Sequence, residues 1–271
     1  LDDALTLRAA LEKGPRVAVI GAGFIGAEVA ATCRSRGLEV AMIEALPVPL
    51  ERALGNEMGR LVAELHRDHG VDLRCGVGVS RFLGRGRIEA LELADGSRIP
   101  ADLVVVGIGA APATAWLEGS GLELADGVLC DESCRSTRAP FVLAAGDVAR
   151  WPNRLFGETM RIEHWTNATE QADAVATTLL AGEGGEAPYA PVPFFWSDQF
   201  DRKIQFAGRF DPADETHLVH GSLEERRFVL LYARQGRLRG VLGWNRPRWV
   251  MKYRGLLREG TSLEAALAAA G

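Results

Sequence analysis

Six residues near the start of the chain, Gly21-Ala-Gly23-Phe24-Ile25-Gly26, constrain its fold more than any other feature. Residues 16–20, Arg-Val-Ala-Val-Ile, precede them as a short, almost wholly apolar run. Such a run reads as a strand buried on both faces of a parallel sheet. A helical pattern follows over 27–36, Gly37 ends it, and 38–44 reads as a second buried strand. The three glycines answer three demands. The first permits the tight turn out of the strand, and the second lets backbone approach a pyrophosphate. The third lets helix and strand pack closely, while the helix N-terminus offers free N–H groups to phosphate. Glu44 ends the next strand 23 residues after Gly21, where a carboxylate can accept hydrogen bonds from a ribose. That context turns a weak motif into a dinucleotide-binding βαβ unit.

Glu44 would also repel a 2′-phosphate, so NADH is favoured over NADPH. Arg52, close by in sequence, is the nearest cation that could offset it. Beyond the unit, 5–13 and 54–69 read as helices and 71–75 as a strand. Residues 79–98 form an antiparallel meander with a turn at Asp95-Gly96, and 103–108 is a very apolar strand ending in Gly107-Ile108-Gly109. A nucleotide domain is complete by residue 112. Further on, 141–145 reads as a buried strand ending in Gly146-Asp147, a place where ligands bind in open α/β sheets. Residues 163–180 read as a helix, 183–188 as a linker, 194–210 and 228–243 as antiparallel strands, and 249–257 as a helix.

Composition excludes several classes. The longest apolar stretch, 103–117, is broken by Gly107, Gly109 and Pro112 and is too short to span a bilayer. Cys33, Cys75, Cys130 and Cys134 show no CxxC spacing, which fits a reducing cytoplasm. No His/Cys cluster has metal-ligand spacing. The formal net charge is −5, yet residues 226–258 hold ten basic residues and no acidic one. Such a stretch is either a solvated face or a surface for an acidic partner. Nucleic acid is disfavoured by the sequence pI of 5.7.

The order of these pieces resembles the FAD-dependent NADH:ferredoxin reductase family. The residues that carry the likeness are Gly21–Ala31, Leu50-Glu51-Arg52 with Leu54-Gly55, 103–112 and Ala144-Ala145-Gly146-Asp147. More specific still are Arg161-Ile-Glu163-His-Trp165-Thr-Asn167-Ala-Thr-Glu170-Gln171, Phe195-Trp196-Ser197-Asp198-Gln199-Phe200 and Asn245-Arg246-Pro247-Arg248. The resemblance implies an α/β protein: a Rossmann-like NAD domain (1–112), the C-terminal half of an FAD domain (113–187) and a small α+β C-terminal domain (188–271). It implies that Glu28 and Glu44 contact NADH and that Gly146 and Asp147 hold the flavin. Trp165 and Trp196 would lie near the isoalloxazine, with core packing as their alternative role.

The resemblance further implies electron transfer from NADH through FAD to a ferredoxin-type 2Fe-2S protein, which the basic segment would steer into place. The family carries an earlier glycine-rich fingerprint for FAD, and only twenty residues precede Gly21 here. A chain truncated at its N-terminus is therefore expected. The cofactors carry the chemistry, so no side chain is assigned as catalytic. Two rivals stand: a non-catalytic NADH-binding module, and a disulfide reductase of the same superfamily.

Overall fold

The apolar runs flanking the glycine turn form parallel strands, as their composition predicts. The computed structural model describes residues 1–182 and 187–271. It resolves into two units: Leu1–Gly109 with Ser197–Arg202, and Ala110–Trp196 with Lys203–Gly271.

The first unit begins with α1 (Asp2–Leu11), β1 (Val17–Ile20), α2 (Phe24–Ser35), β2 (Val40–Glu44), α3 (Glu51–Asp68) and β3 (Asp72–Cys75). The meander β4 (Val79–Leu83), β5 (Ala90–Leu93) and β6 (Arg98–Pro100) then leads into β7 (Leu103–Val106). The parallel sheet runs β3-β2-β1-β7, with Val17 opposite Val40 on one side and Leu103 on the other. Period-two alternation divides its faces. Val17 and Val19 pack with Ala30, Cys33 and Ala63 of the helices. Ala18, Ala41 and Ile43 pack with Leu91, Leu93 and Ile99 of the meander. All three helices of this unit start three residues earlier than the periodicity indicates. Asp2 and Asp3 favour the first turn of α1 by their charge near the positive helix end. In α3 a break at Gly55 (φ 83°, ψ 171°) sets the opening turn apart from the rest, which the apolar stripe alone does not register.

The second unit holds β8 (Val128–Leu129), β9 (Ala149–Asn153), β10 (Glu158–Met160) and α4 (Trp165–Ala181). After them come β11 (Phe194–Gln199), β12 (Arg202–Gly208), β13 (Glu215–Ser222), β14 (Arg227–Arg234), β15 (Arg237–Trp244), α5 (Pro247–Arg258) and α6 (Leu263–Ala268). The last five strands form a sheet ordered β11-β12-β15-β14-β13. Helix α5 lies directly on it: a Cβ at Gly243 would stand 2.2 Å from Val250. Val250, Tyr253 and Leu257 bury against Val229, Leu231 and Val241.

One expectation fails here. Residues 141–145 are not a buried strand; Phe141 is 84% exposed, and Leu143 meets Arg135 in a single isolated bridge. The neighbouring segment cannot continue the ladder, because Cys134 adopts a left-handed conformation (φ 64°) and Pro140 has no N–H to give. Of the linker read at 183–188, residues 183–186 lie outside the described residues.

Candidate functional site

The C-terminal ends of β1, β2 and β7 open onto a cleft of about 490 Å³, the usual ligand position in an open α/β sheet. Each glycine of the turn can be tested by asking what a Cβ would meet. At Gly21, with φ 94°, it would stand 2.4 Å from the Gly107 carbonyl oxygen. At Gly26 it would stand 2.0 Å from the carbonyl oxygen of Gly21, so this residue lets α2 press against the turn. Gly23 differs. Its φ is −71° and an added Cβ meets nothing within 4 Å. The protein's own packing does not require glycine there, and the backbone at the N-terminus of α2 is left open to the cleft. Gly23 is the N-cap of that helix and supplies no side-chain cap.

Glu44 is half-buried at the end of β2. Its Oε2 accepts from Ala22 N at 2.7 Å and its Oε1 from Leu46 N at 2.9 Å. The carboxylate thus pins the glycine turn while facing the cleft. Glu51 lines the cleft as well, with Arg52 as the cation beside it. Two carboxylates and one guanidinium thus line this end of the cleft.

Of the residues singled out in the sequence, Gly21, Gly23, Phe24, Glu44, Arg52, Gly107 and Gly109 line this one cleft. Gly26 sits behind it as packing. Ile25 is exposed and Glu28 half-buried on α2, and neither is among the lining residues. Glu51 and the Val77-Gly78-Val79 segment also line it and were missed, since nothing in their spacing marks them.

In the second unit Gly146 and Asp147 form a tight turn before β9. Two side chains clamp it. Gln171, fully buried on α4, accepts from Gly146 N at 2.9 Å and from Asn167 Nδ2 at 3.2 Å, and it donates to Cys134 Sγ at 3.2 Å. Arg161 donates to the Asp147 carbonyl at 3.2 Å and pairs with Asp126 and Glu163. The Asp147 side chain itself is exposed and makes no ion pair or hydrogen bond among the described residues. The backbone turn is thus held from two sides while the Asp147 carboxylate stays exposed. Trp165 and Trp196 meet edge to face at 6.2 Å and stay 72% and 41% exposed. Neither ring belongs to a buried core cluster among the described residues.

Sequence comparison accounts for both units. The family model described as pyridine nucleotide-disulphide oxidoreductase matches residues 1–172. The chain belongs to that family. A reductase C-terminal model matches residues 194–270. The ferredoxin reductase subunit of 5,5'-dehydrodivanillate O-demethylase from Sphingobium is 37% identical, over 97% of this chain and 63% of its own length. Putidaredoxin reductase of Pseudomonas putida is 35% identical, over 91% of this chain and 58% of its own. Among solved structures, a ferredoxin reductase from Rhodopseudomonas palustris superposes with a TM-score of 0.91 at 36% identity, covering 97% of this chain and 64% of that one. The reductase in a covalent putidaredoxin reductase–putidaredoxin complex gives 0.89 at 32%, covering 96% and 62%. The chain spans about 60% of the length of the curated relatives it matches.

The pyridine nucleotide-disulphide oxidoreductases take their name partly from thiol chemistry, and the thiols here are unsuited to it. All four cysteines are free. Burial pushes Cys130 up to about 12 and Cys134 up to about 11, with the proximity of the two thiols raising Cys130 further. Protonated, enclosed thiols are poor nucleophiles. Among the described residues no group of three His, Cys, Asp or Glu side chains could hold a metal ion. No described helix is long and apolar enough to cross a membrane.

Proposed function

We propose that this chain forms the NADH-binding and C-terminal parts of a flavoprotein reductase. It would take electrons from NADH through FAD and pass them to a ferredoxin-type 2Fe-2S protein serving an oxygenase or P450. Residues 1–112 are its nicotinamide domain, 113–187 the C-terminal half of its FAD domain, and 188–271 its C-terminal domain. Four free thiols suit a reducing cytoplasm. The observation that carries the reading is Gly23, a glycine whose only evident use is to leave room for a phosphate at a helix N-terminus.

The residues divide by task. Gly21, Gly23, Phe24 and Ile25 present backbone to the pyrophosphate, and Gly26 holds the helix close enough to do so. Glu44 orients the adenosine ribose, with Arg52, Gly107 and Gly109 closing the cleft and Glu28 standing one turn along α2. Gly146 and Asp147 suit the polar chain of FAD, and the exposed Trp165–Trp196 pair suits the edge of its ring system. Bound FAD supplies the step these side chains cannot, accepting a hydride and releasing electrons singly. The protein's own part is to bind, to orient and to keep water away.

The basic segment is a proposed docking face, and the geometry narrows it. Arg234, Arg239 and Arg254 are paired with Asp211 and Asp214, with Glu158, and with Glu170. Exposed Arg248 and Arg258 make no ion pair among the described residues. Lys252 lies over the Trp249 ring at 4.9 Å. Arg248, Lys252 and Arg258, all on α5, are the exposed cations that an acidic ferredoxin would meet.

The test is the visible spectrum of the chain after FAD is added and the excess removed, then after NADH. A retained flavin band that bleaches with NADH is the expected result for a chain that seats both cofactors. A colourless protein that still quenches NADH fluorescence would make this chain the NADH-binding module alone. A protein that binds neither would overturn the reading.

A further inference from the structure

The second unit contains a cleft lined by none of the residues assigned above to NADH or FAD. Arg154 and Phe156, from the turn between β9 and β10, face Arg237, Leu238 and Arg239 of β15 and Leu257 of α5 across about 370 Å³. Its charged lining is three arginines and no carboxylate. The carboxylates that engage two of them stand outside: Glu132 pairs with Arg154 and Glu158 with Arg239. Arg209 shares Glu158 at 3.2 Å, and Asp211, paired like Asp214 with Arg234, also acts on Arg239, so five guanidiniums meet four carboxylates in this neighbourhood. Arg237 is exposed and has no ion-pair partner among the described residues. A cluster with surplus positive charge beside a recess attracts anions.

The rest of the lining says what kind. Leu238 and Leu257 are buried and form an apolar floor. Phe156 is half-buried, and the Arg239 guanidinium lies over its ring at 5.9 Å. That contact, with the Glu158 bond, holds one guanidinium in place before any ligand arrives. The volume falls in the range of small-molecule sites, about 300–1,000 Å³, and exceeds what an inorganic anion fills. We propose that this cleft binds a small organic anion, a carboxylate or phosphate ester on a compact apolar body, held by Arg237 and Arg239 over the Leu238–Leu257 floor.

The proposal is independent of the cofactor reading, and its test needs no cofactor. The probes are benzoate and phenyl phosphate, with benzamide as the uncharged counterpart of benzoate, titrated calorimetrically into the 271-residue chain at low salt. The expected result is that both anions bind at least tenfold tighter than benzamide and that added salt weakens them. Arg237→Glu, at an exposed position without a partner, should fold normally and cost both anions at least tenfold in affinity. Hydrogen exchange should slow at residues 154–157 and 237–239 when phenyl phosphate is present. Equal binding of benzamide and benzoate overturns the proposal, and so does unchanged affinity in Arg237→Glu, which would place the anion elsewhere.

Discussion

His66 makes the stability of the first unit depend on pH in a way that can be calculated. The ring is fully buried on α3, and its Nε2 lies 3.0 Å from Gln199 Oε1. That oxygen only accepts, and Gln199 Nε2 is already turned to Ser197 Oγ at 3.1 Å, so the network assigns the ring proton to Nε2. Nδ1 is buried without a hydrogen-bond partner among the described residues. A second proton would put an unpaired charge there, and burial accordingly pushes the histidine down from 6.5 to about 4; the Gln199 bond opposes this and His69 adds to it slightly. A folded-state value below the unfolded one favours the neutral ring. Its contribution is therefore complete above pH 6.5 and is lost as pH falls toward 4, amounting to about 3 kcal/mol. Between pH 7 and 4.5 the loss should be about 2 kcal/mol. All six tryptophans and three tyrosines lie in the second unit, so none of them is an internal probe of α3. Urea unfolding followed by hydrogen exchange in peptides from α3 reads it directly. His66→Gln, which cannot titrate, should lower stability at pH 7 and remove that part of the pH dependence. If wild type and variant lose stability in parallel from pH 7 to 4.5, the assignment of the effect to His66 is wrong.

The glycine turn separates binding from packing. Gly23→Ala should leave the melting temperature unchanged while weakening NADH at least tenfold, about 1.4 kcal/mol, by fluorescence titration. Gly26→Ala, whose Cβ would stand 2.0 Å from the Gly21 carbonyl oxygen, should lower the melting temperature by forcing a backbone shift of about 1–3 kcal/mol. Equal melting temperatures for the two variants would contradict that division. Gln171→Leu strips the buried Gly146 amide of its acceptor and should cost about 1–3 kcal/mol in urea unfolding followed by tryptophan fluorescence. Arg248→Glu with Arg258→Glu should slow ferredoxin reduction by the complete reductase at low salt, and the deficit should vanish at high salt. A deficit that persists at high salt would point to damage other than lost steering.

What could be read from the chain is what local chemistry demands of single residues. A turn with a positive φ at Gly21 and a close approach at Gly26 can be made by few other side chains, so the βαβ unit declares itself. Strand β13 does not, because it is an edge strand whose side chains are mostly exposed or half-buried and carry no apolar alternation. The run 141–145 misleads for the opposite reason: its residues suit a strand, but pairing needs a partner, and Cys134 breaks the one available. The clamp on Asp147 is invisible for a third reason. Gln171 lies 25 residues from Gly146 and reaches it only because α4 folds back over the turn. The ten basic residues show how far the same logic extends to charge. Read along the chain they form one uninterrupted field, yet Asp211, Asp214, Glu158 and Glu170 arrive from other segments and neutralise three of them. Arg237 at the mouth of a recess is one of those left without an ion pair among the described residues, and Arg248 and Arg258 on α5 are two others. On the two proposals the field has separate uses, and reversing Arg237 should leave salt-dependent ferredoxin steering largely intact while weakening anion binding at least tenfold.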